Sequence, residues 1–316
     1  MPAIGNGPDP GHPEVTRVLD AVTRVSIGRR PVAAHILCAL LAGGHVLLDD
    51  VPGVGKTLLV KAMAHALSLR CARVQGGPDL LPSDITGSAI FDPRQGSFTF
   101  RPGPVFTEML LLDEINRCPP RTQSALLEAM EEGQVTVDGE SRPLPPPFLV
   151  LATANPMDAD DAFPLPTSQV DRFLFRLRLG YPEPADQLAM LRDPAPPRPA
   201  AGPAAVTREG FLALQEAAGA VHLSDHVLHY LVALVEATRH RPDLELGASP
   251  RAAAQWARAA QAWALMAGRT YVIPDDVAAL GEPLLAHRLV GVNGADPRET
   301  VREILRAVPA PVGASR

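Results

Sequence analysis

Asp50-Val51-Pro52-Gly53-Val54-Gly55-Lys56-Thr57 is the stretch whose reading decides the fold. The short apolar run Val46-Leu47-Leu48 feeds it, and a helical pattern beginning near Lys56 leaves it. The spacing is that of a phosphate-binding loop, G-x-x-x-x-G-K-(S/T), with Asp50 standing where the first glycine belongs. Strand, loop and helix in this order present backbone N–H groups and a helix N-terminus to a polyphosphate. Lys56 adds a point charge, and the Thr57 hydroxyl can serve Mg²⁺. The expected lining is Pro52, Gly53, Val54, Gly55, Lys56, Thr57 and Leu58. Read alone, the loop implies nucleotide binding and no more.

Three further runs, Cys71–Gln75, Met109–Leu112 and Phe148–Ala152, are apolar without polar alternation, as buried parallel strands are. Helical patterns at Lys56–Leu69 and Arg121–Glu132 lie between them, and Glu14–Val25 and Val32–Leu41 precede them. Alternating strands and helices predict an α/β fold around a parallel sheet, with ligands at the carboxyl ends of the strands. Ser88–Phe91 with Ser97–Phe100, and Gln134–Val137 with Ser141–Leu144 around Asp138-Gly139, read as hairpins. They are either loops with a purpose or edge decoration. After Arg178 the texture changes. P-A-P-P-R-P-A-A-G-P-A at 194–204 reads as linker or exposed loop. Beyond it Arg208–Ala218, Asp225–Thr238, Arg251–Ala267 and Pro274–His287 are all helical in pattern. The expected organisation is an N-terminal helical segment (1–30), an α/β nucleotide-binding core (31–180), a linker (181–207) and a small all-α domain (208–316).

The second decisive stretch is Met-Leu-Leu-Leu-Asp-Glu-Ile-Asn-Arg at Met109–Arg117. Four apolar residues running into two acids describe a buried strand that ends at Asp113 and Glu114. Beside a phosphate loop, Asp113 can join Thr57 in a Mg²⁺ shell, and Glu114 can polarise the water that attacks a γ-phosphate. Either segment alone is compatible with ordinary solvated acids; the two together point to a nucleotide site.

Composition closes off other classes. The chain of 316 residues has 20% charged and 46% hydrophobic residues and a formal charge of −6, which is globular and soluble in type. No run of Lys or Arg suggests a nucleic-acid partner. No apolar stretch approaches the roughly 18 residues of a membrane span. Asp9, Glu14 and Asp20 make the N-terminus unlike a signal peptide, so a cytoplasmic protein is expected. Cys38, Cys71 and Cys118 have no metal-ligand spacing and are expected to be buried, reduced thiols.

V-P-G-V-G-K-T, L-L-L-D-E-I-N-R-C-P-P-R-T-Q-S-A-L-L-E-A-M, L-A-T-A-N-P and L-G-A-S-P-R-A, in this order, resemble the MoxR family of AAA+ ATPases over about residues 15–290. The resemblance implies a P-loop NTPase core whose second helix is interrupted by the hairpin after Pro78–Gly87, with a helical lid. It implies an ATPase with ATP and Mg²⁺ as cofactors, working as a homo-oligomeric, hexameric ring that remodels a client protein. A separate partner with a von Willebrand A domain is implied too. A metal-chelatase-type ATPase subunit is the nearest alternative, and a non-hydrolysing nucleotide switch or scaffold is an alternative of another class.

By the same resemblance Asn155 matches sensor 1, where an amide can bond both γ-phosphate and water; a plain turn residue before Pro156 is the other reading. Arg172 matches the arginine finger, acting on a neighbouring subunit; a surface ion pair with Asp171 is its alternative. Arg251 matches sensor 2, contacting nucleotide phosphate from the lid. An independent argument bears on it. Ser249-Pro250-Arg251 reads as the cap and first turn of a helix, where a cation opposes the dipole, so something anionic should face it. A solvated arginine is the alternative. Asp50, Arg29 (where the family more often has Gln) and Gly76-Gly77 depart from the family pattern. Asp50 is expected to leave binding intact. The other two are expected to alter local contacts, at a base pocket, without touching the hydrolytic set.

Overall fold

Each central strand divides its side chains between two cores. Met109 and Leu111 face one hydrophobic cluster and Leu110 and Leu112 the other, while Val46 and Leu48 oppose Leu47 in the same way. The two-residue period of extended backbone does this, and it explains why a run without polar alternation can be a strand.

The computed structural model describes residues 11–49, 53–94, 96–155, 163–192 and 202–311. Asp50, Val51 and Pro52 of the loop, Pro156, and most of 194–204 lie outside the described residues. In chain order the first part comprises helices α1 (Pro13–Val25) and α2 (Arg30–Leu41), strand β1 (Val46–Asp49), helix α3 (Lys56–Ala66), strand β2 (Cys71–Gln75) and the short helix α4 (Pro82–Thr86). Strands β3 (Gly87–Asp92), β4 (Ser97–Pro102) and β5 (Met109–Asp113) follow, then helix α5 (Pro120–Glu132) and strands β6 (Gln134–Val137), β7 (Glu140–Pro143) and β8 (Leu149–Ala154). The turn α6 (Thr167–Val170), strand β9 (Phe175–Leu177) and helix α7 (Pro184–Arg192) complete it. The second part holds α8 (Arg208–Gly219), α9 (Asp225–Arg239), β10 (Leu244–Leu246), α10 (Pro250–Met266), α11 (Pro274–Leu285), β11 (Val290–Gly291) and α12 (Pro297–Ala307).

Five parallel strands form the main sheet in the order β2-β5-β8-β1-β9. The middle strands are buried as expected, but β2 is an edge strand on which only Val74 is buried. With one neighbour and one covered face it has no need of a continuous apolar run. Cys71 is correspondingly exposed, whereas Cys38 and Cys118 are buried; all three are unpaired. The opposite edge, β9, has no counterpart in the sequence reading. Its apolar pattern is interrupted by Arg176, which with Arg178 binds the buried Asp49 carboxylate at 2.8 and 3.1 Å.

Both hairpins form, β3 with β4 and β6 with β7. Phe91 and Phe98 of the first are half to largely exposed, with their rings edge to face at 5.3 Å. The C-terminal part is helical, with a small antiparallel pair β10–β11 added. Its core is continuous with one face of the sheet, because Trp256, Leu234, Leu280 and Ile304 share a cluster with Ile36, Leu59 and Phe175. α1 belongs to that cluster through Val15, Val18, Leu19 and Val22. Within 181–207, Pro184–Arg192 forms α7, none of whose residues is buried. α12, absent from the sequence reading, is capped by Asp296 and buries Thr300, Val301 and Ile304. Among the described residues no helix is long and apolar enough to cross a membrane.

Candidate functional site

The carboxyl end of β1 opens into the loop, where Gly53 (φ +82°) and Gly55 (φ +91°) adopt left-handed backbone that favours glycine. A Cβ at either would meet nothing within 4 Å, so conformation rather than space selects glycine there. Gly55 is the N-cap of α3, and among the described residues no side chain caps that helix. Its leading N–H groups and the positive end of its dipole suit an external anion. Val54 and Leu58 flank this turn, while Pro52 lies outside the described residues. Arg29 is buried and donates to the carbonyls of Leu179 (2.5 Å), Gly180 (2.9 Å) and Val54 (3.4 Å). It therefore ties the phosphate loop to the chain leaving β9, a role in the loop itself that the sequence reading did not assign to it.

Asp113 ends the wholly buried β5 beside that loop. Its Oδ2 lies 3.4 Å from Thr57 Oγ1 and accepts from Arg73 Nε at 2.6 Å, and its Oδ1 accepts from Thr153 Oγ1 at 3.4 Å. Glu114 follows in the left-handed region (φ 60°, ψ 54°), which costs a non-glycine residue on the order of 1 kcal/mol or more. The kink turns its side chain off the strand line. Its Oε2 accepts from Gln75 Nε2 at 2.9 Å and Arg117 Nη1 at 3.1 Å, and its N–H donates to Thr153 Oγ1 at 2.9 Å. Thr153 thus links both acids. Gly76 donates to the Asp113 carbonyl at 2.6 Å, and a Cβ on it would stand 2.2 Å from the Glu114 carbonyl oxygen. Gly76 therefore abuts the backbone of the acid pair, contrary to the expectation that it stays clear of the hydrolytic set.

Asn155 follows β8 and is buried. Asn116 holds its backbone twice, donating from Nδ2 to its carbonyl (3.2 Å) and accepting its N–H at Oδ1 (3.3 Å). Thr153 and Asn116 were missed in the sequence reading. The available signal was their place inside L-A-T-A-N and D-E-I-N-R, yet nothing local distinguishes a positioning Thr or Asn from a turn residue.

Arg172 and Arg251 lie elsewhere. Arg172 precedes β9, whose Phe175 is level with Val46 at the amino end of β1, and the Leu174 N–H donates to the His45 carbonyl at 2.8 Å. Arg172 Nε donates to Glu131 Oε2 at 2.9 Å, and Arg251 Nη2 pairs with Glu131 Oε1. Glu131 follows Met130, whose carbonyl bonds the His45 ring at 3.2 Å. The two arginines and Glu131 therefore cluster at the amino end of the strands, about 10 Å of strand away from the loop. The Arg172 hydrogen bond, aided by Arg251, holds the Glu131 carboxyl below the usual carboxylate range. The anion required opposite Arg251 is present, but it is Glu131 of the same chain. Arg251 thus stands at the opposite end of the strands from this subunit's phosphate loop. Arg172 does not pair with Asp171, whose carboxylate accepts instead from Ser249 and from the buried Arg288.

The loop end fits a Mg²⁺–nucleotide. Thr57 and Asp113 offer hard oxygen ligands on one side of the α3 N-terminus, and Arg73 supplies a positive charge to Asp113 where such a cation would act.

Comparison with known proteins shows the family and the fold. Residues 45–175 match the ATPase family associated with various cellular activities (AAA), and residues 236–308 match the AAA lid domain. The uncharacterised protein YeaC of Bacillus subtilis is 45% identical over 95% of this chain and 96% of its own. Chaperone MoxR1 of Mycobacterium tuberculosis is 38% identical over 93% of this chain and 82% of its own. The crystal structure of a candidate ATPase from Cytophaga hutchinsonii superposes with a TM-score of 0.87 at 35% identity, covering 95% of both chains.

Proposed function

The chain belongs to the MoxR family of AAA+ ATPases, and on that premise we propose that it hydrolyses ATP with Mg²⁺ at the seams of a hexameric ring. The observation that carries the reading is the separation of two half-sites. Thr57, Asp113 and Glu114 gather at the carboxyl end of the sheet, while Arg172 and Arg251 share Glu131 at the amino end. One chain cannot close both halves on a single phosphate; a neighbour turned head to tail can, and such heterologous contacts give a ring where the rotation closes.

In this reading Gly53, Val54, Gly55, Lys56 and the α3 N-terminus cradle the phosphates. Thr57 and Asp113 hold Mg²⁺, which supplies charge neutralisation at the phosphates when bound. Glu114 takes a proton from the attacking water, and Asn155 orients that water. Arg172 and Arg251, leaving Glu131, bring positive charge to the γ-phosphate of the adjacent subunit. The contact with nucleotide phosphate expected of Arg251 from the lid is thus made, like that of Arg172, to the neighbouring subunit's nucleotide. The ring's work is chaperone-like remodelling of a client protein, by analogy with the relative named a chaperone. A partner with a von Willebrand A domain is part of the proposal.

The test is turnover with and without the acid. Wild-type protein with Mg²⁺ should hydrolyse ATP, and Glu114→Gln should bind it without turnover. Absence of turnover in concentrated wild-type protein would leave a nucleotide switch in its place.

A further inference from the structure

Arg172 and Arg251 come from the sheet part and the lid, yet they reach the same carboxylate. What holds them in register is a buried network behind them. Arg288, 2% exposed just after α11, donates from Nε to Asp171 Oδ1 at 2.9 Å and from Nη2 to the carbonyls of Phe173 (2.7 Å) and Asp171 (3.3 Å). Its Nη1 reaches the Leu174 carbonyl at 3.1 Å and also that of Leu284, and Nη2 bonds Gln255 Oε1 as well. The acceptors lie on both sides of Arg172 in the chain. His287 adds a bond from Nε2 to the Phe173 carbonyl at 3.1 Å.

The other half of the network runs to Arg251. The Asp171 carboxylate accepts from Ser249 Oγ at 3.1 and 3.3 Å, and Ser249 Oγ in turn accepts the Ala252 N–H at 3.1 Å, capping α10. Arg251 is the second residue of α10, and Gln255, which bonds Arg288, lies one turn further along it. A rigid planar fork with its donors satisfied cannot shift without breaking several bonds at once.

We infer that Arg288, through Asp171 and Ser249, is a positioning residue that locks the arginine before β9 and the arginine opening α10 into one unit for the neighbouring subunit's nucleotide. The inference rests on the trans reading above. It implies that lid movement carries Arg172 along with Arg251. A polar core of this kind is expensive to bury; an apolar interface would hold the lid as firmly but would not set two guanidinium groups in register.

The experiment uses full-length Arg288→Gln, Ser249→Ala and Arg172→Ala. ATP turnover and binding of a fluorescent ATP analogue are measured alone and in mixtures with Glu114→Gln protein, whose arginines are intact. Arg288→Gln should lose about 10-fold or more in kcat and Ser249→Ala about 3-fold, since misplacing a reacting group by about an ångström is enough for such losses. Analogue affinity should be unchanged. In mixed rings both should recover turnover in the proportion shown by Arg172→Ala, because the defect lies in what a subunit gives its neighbour. Recovery for Arg172→Ala but not for the other two would overturn the inference and leave the trans reading standing. So would a parallel loss of analogue binding. No recovery even for Arg172→Ala would overturn the trans reading itself. If Arg288→Gln fails to fold by circular dichroism, Ser249→Ala carries the test.

Discussion

The two ends of the parallel sheet are mirror cases of one problem. At the carboxyl end, acids stand ready for a cation, and Arg73 fills that place on Asp113 while Gln75 and Arg117 hold Glu114. At the amino end, two arginines stand ready for an anion, and Glu131 fills that place. Each cluster is thus neutralised by a residue of its own chain. The difference is in what anchors them. Asp113 ends a wholly buried strand and Glu114 follows it, its N–H tied to Thr153, whereas the arginines are set by the buried Arg288 at the junction with the lid. The acid end is preformed and the arginine end is assembled.

The largest expected effects come from emptying one end at a time. Arg172→Ala should cut kcat by about 10³-fold or more. Glu114→Gln should cut it by about 10²- to 10⁴-fold with ATP binding retained, read by turnover and by analogue fluorescence. If Arg172→Ala retains near-normal turnover at saturating ATP, the amino end is not half of the site and the comparison breaks.

Acid should break the arginine end first, because buried neutral histidines gather there. Burial lowers His35 and His45 to about 4 each, against smaller opposing bonds to the Pro31 and Met130 carbonyls, and His287 is pushed down as well. His45 Nδ1 accepts the Val150 N–H, so a proton there also costs that bond. These folded values lie below the unfolded 6.5, so the unfolded state takes up protons first. Stability is fully present above about 6.5 and is lost as pH falls from there toward 4, by roughly 3 kcal/mol for each of His35 and His45. Denaturant midpoints across this window should fall, and His45→Gln should flatten the slope; an unchanged slope refutes the assignment.

A smaller effect is expected from Arg73→Ala. Freeing Asp113 should tighten binding of Mn²⁺ in the presence of a non-hydrolysable ATP analogue by about 3- to 10-fold, measured by electron paramagnetic resonance, as one partly exposed charged hydrogen bond allows. Weaker metal binding would mean that Arg73 orients Asp113 rather than standing in for the metal. The smallest effect belongs to a residue at neither end. Phe98→Ser on the exposed hairpin should change unfolding free energy by no more than about 0.5 kcal/mol, its pair with Phe91 being largely solvated. A larger loss would show that the hairpin supports the acid end.

The elements that were legible in the sequence are those whose signal is local. Met109–Asp113 reads as a strand because its residues are apolar on both faces, and Ser249-Pro250 announces α10 because capping is a matter of adjacent residues. β9 was not legible, since Arg176 breaks its run and only the distant Asp49 explains that arginine. Cys71–Gln75 was legible as strand β2, but not as an edge strand, and its exposed Arg73 and Gln75 look like strand noise until they are seen on Asp113 and Glu114. Gly76 read only as a departure from the family pattern, and it is a close-packing residue against the acid pair.

By itself the sequence determined a strand–loop–helix that cradles phosphate, two acids at the end of a neighbouring strand, and an arginine that needs an anion. These follow from periodicity, capping and dipole, which act over a few residues. Only the tertiary structure decided which anion that is, and that Arg172 and Arg251 stand together at the far end of the sheet from the loop. Residues 131, 172 and 251 lie on separate elements, and their meeting depends on how the lid docks on the sheet.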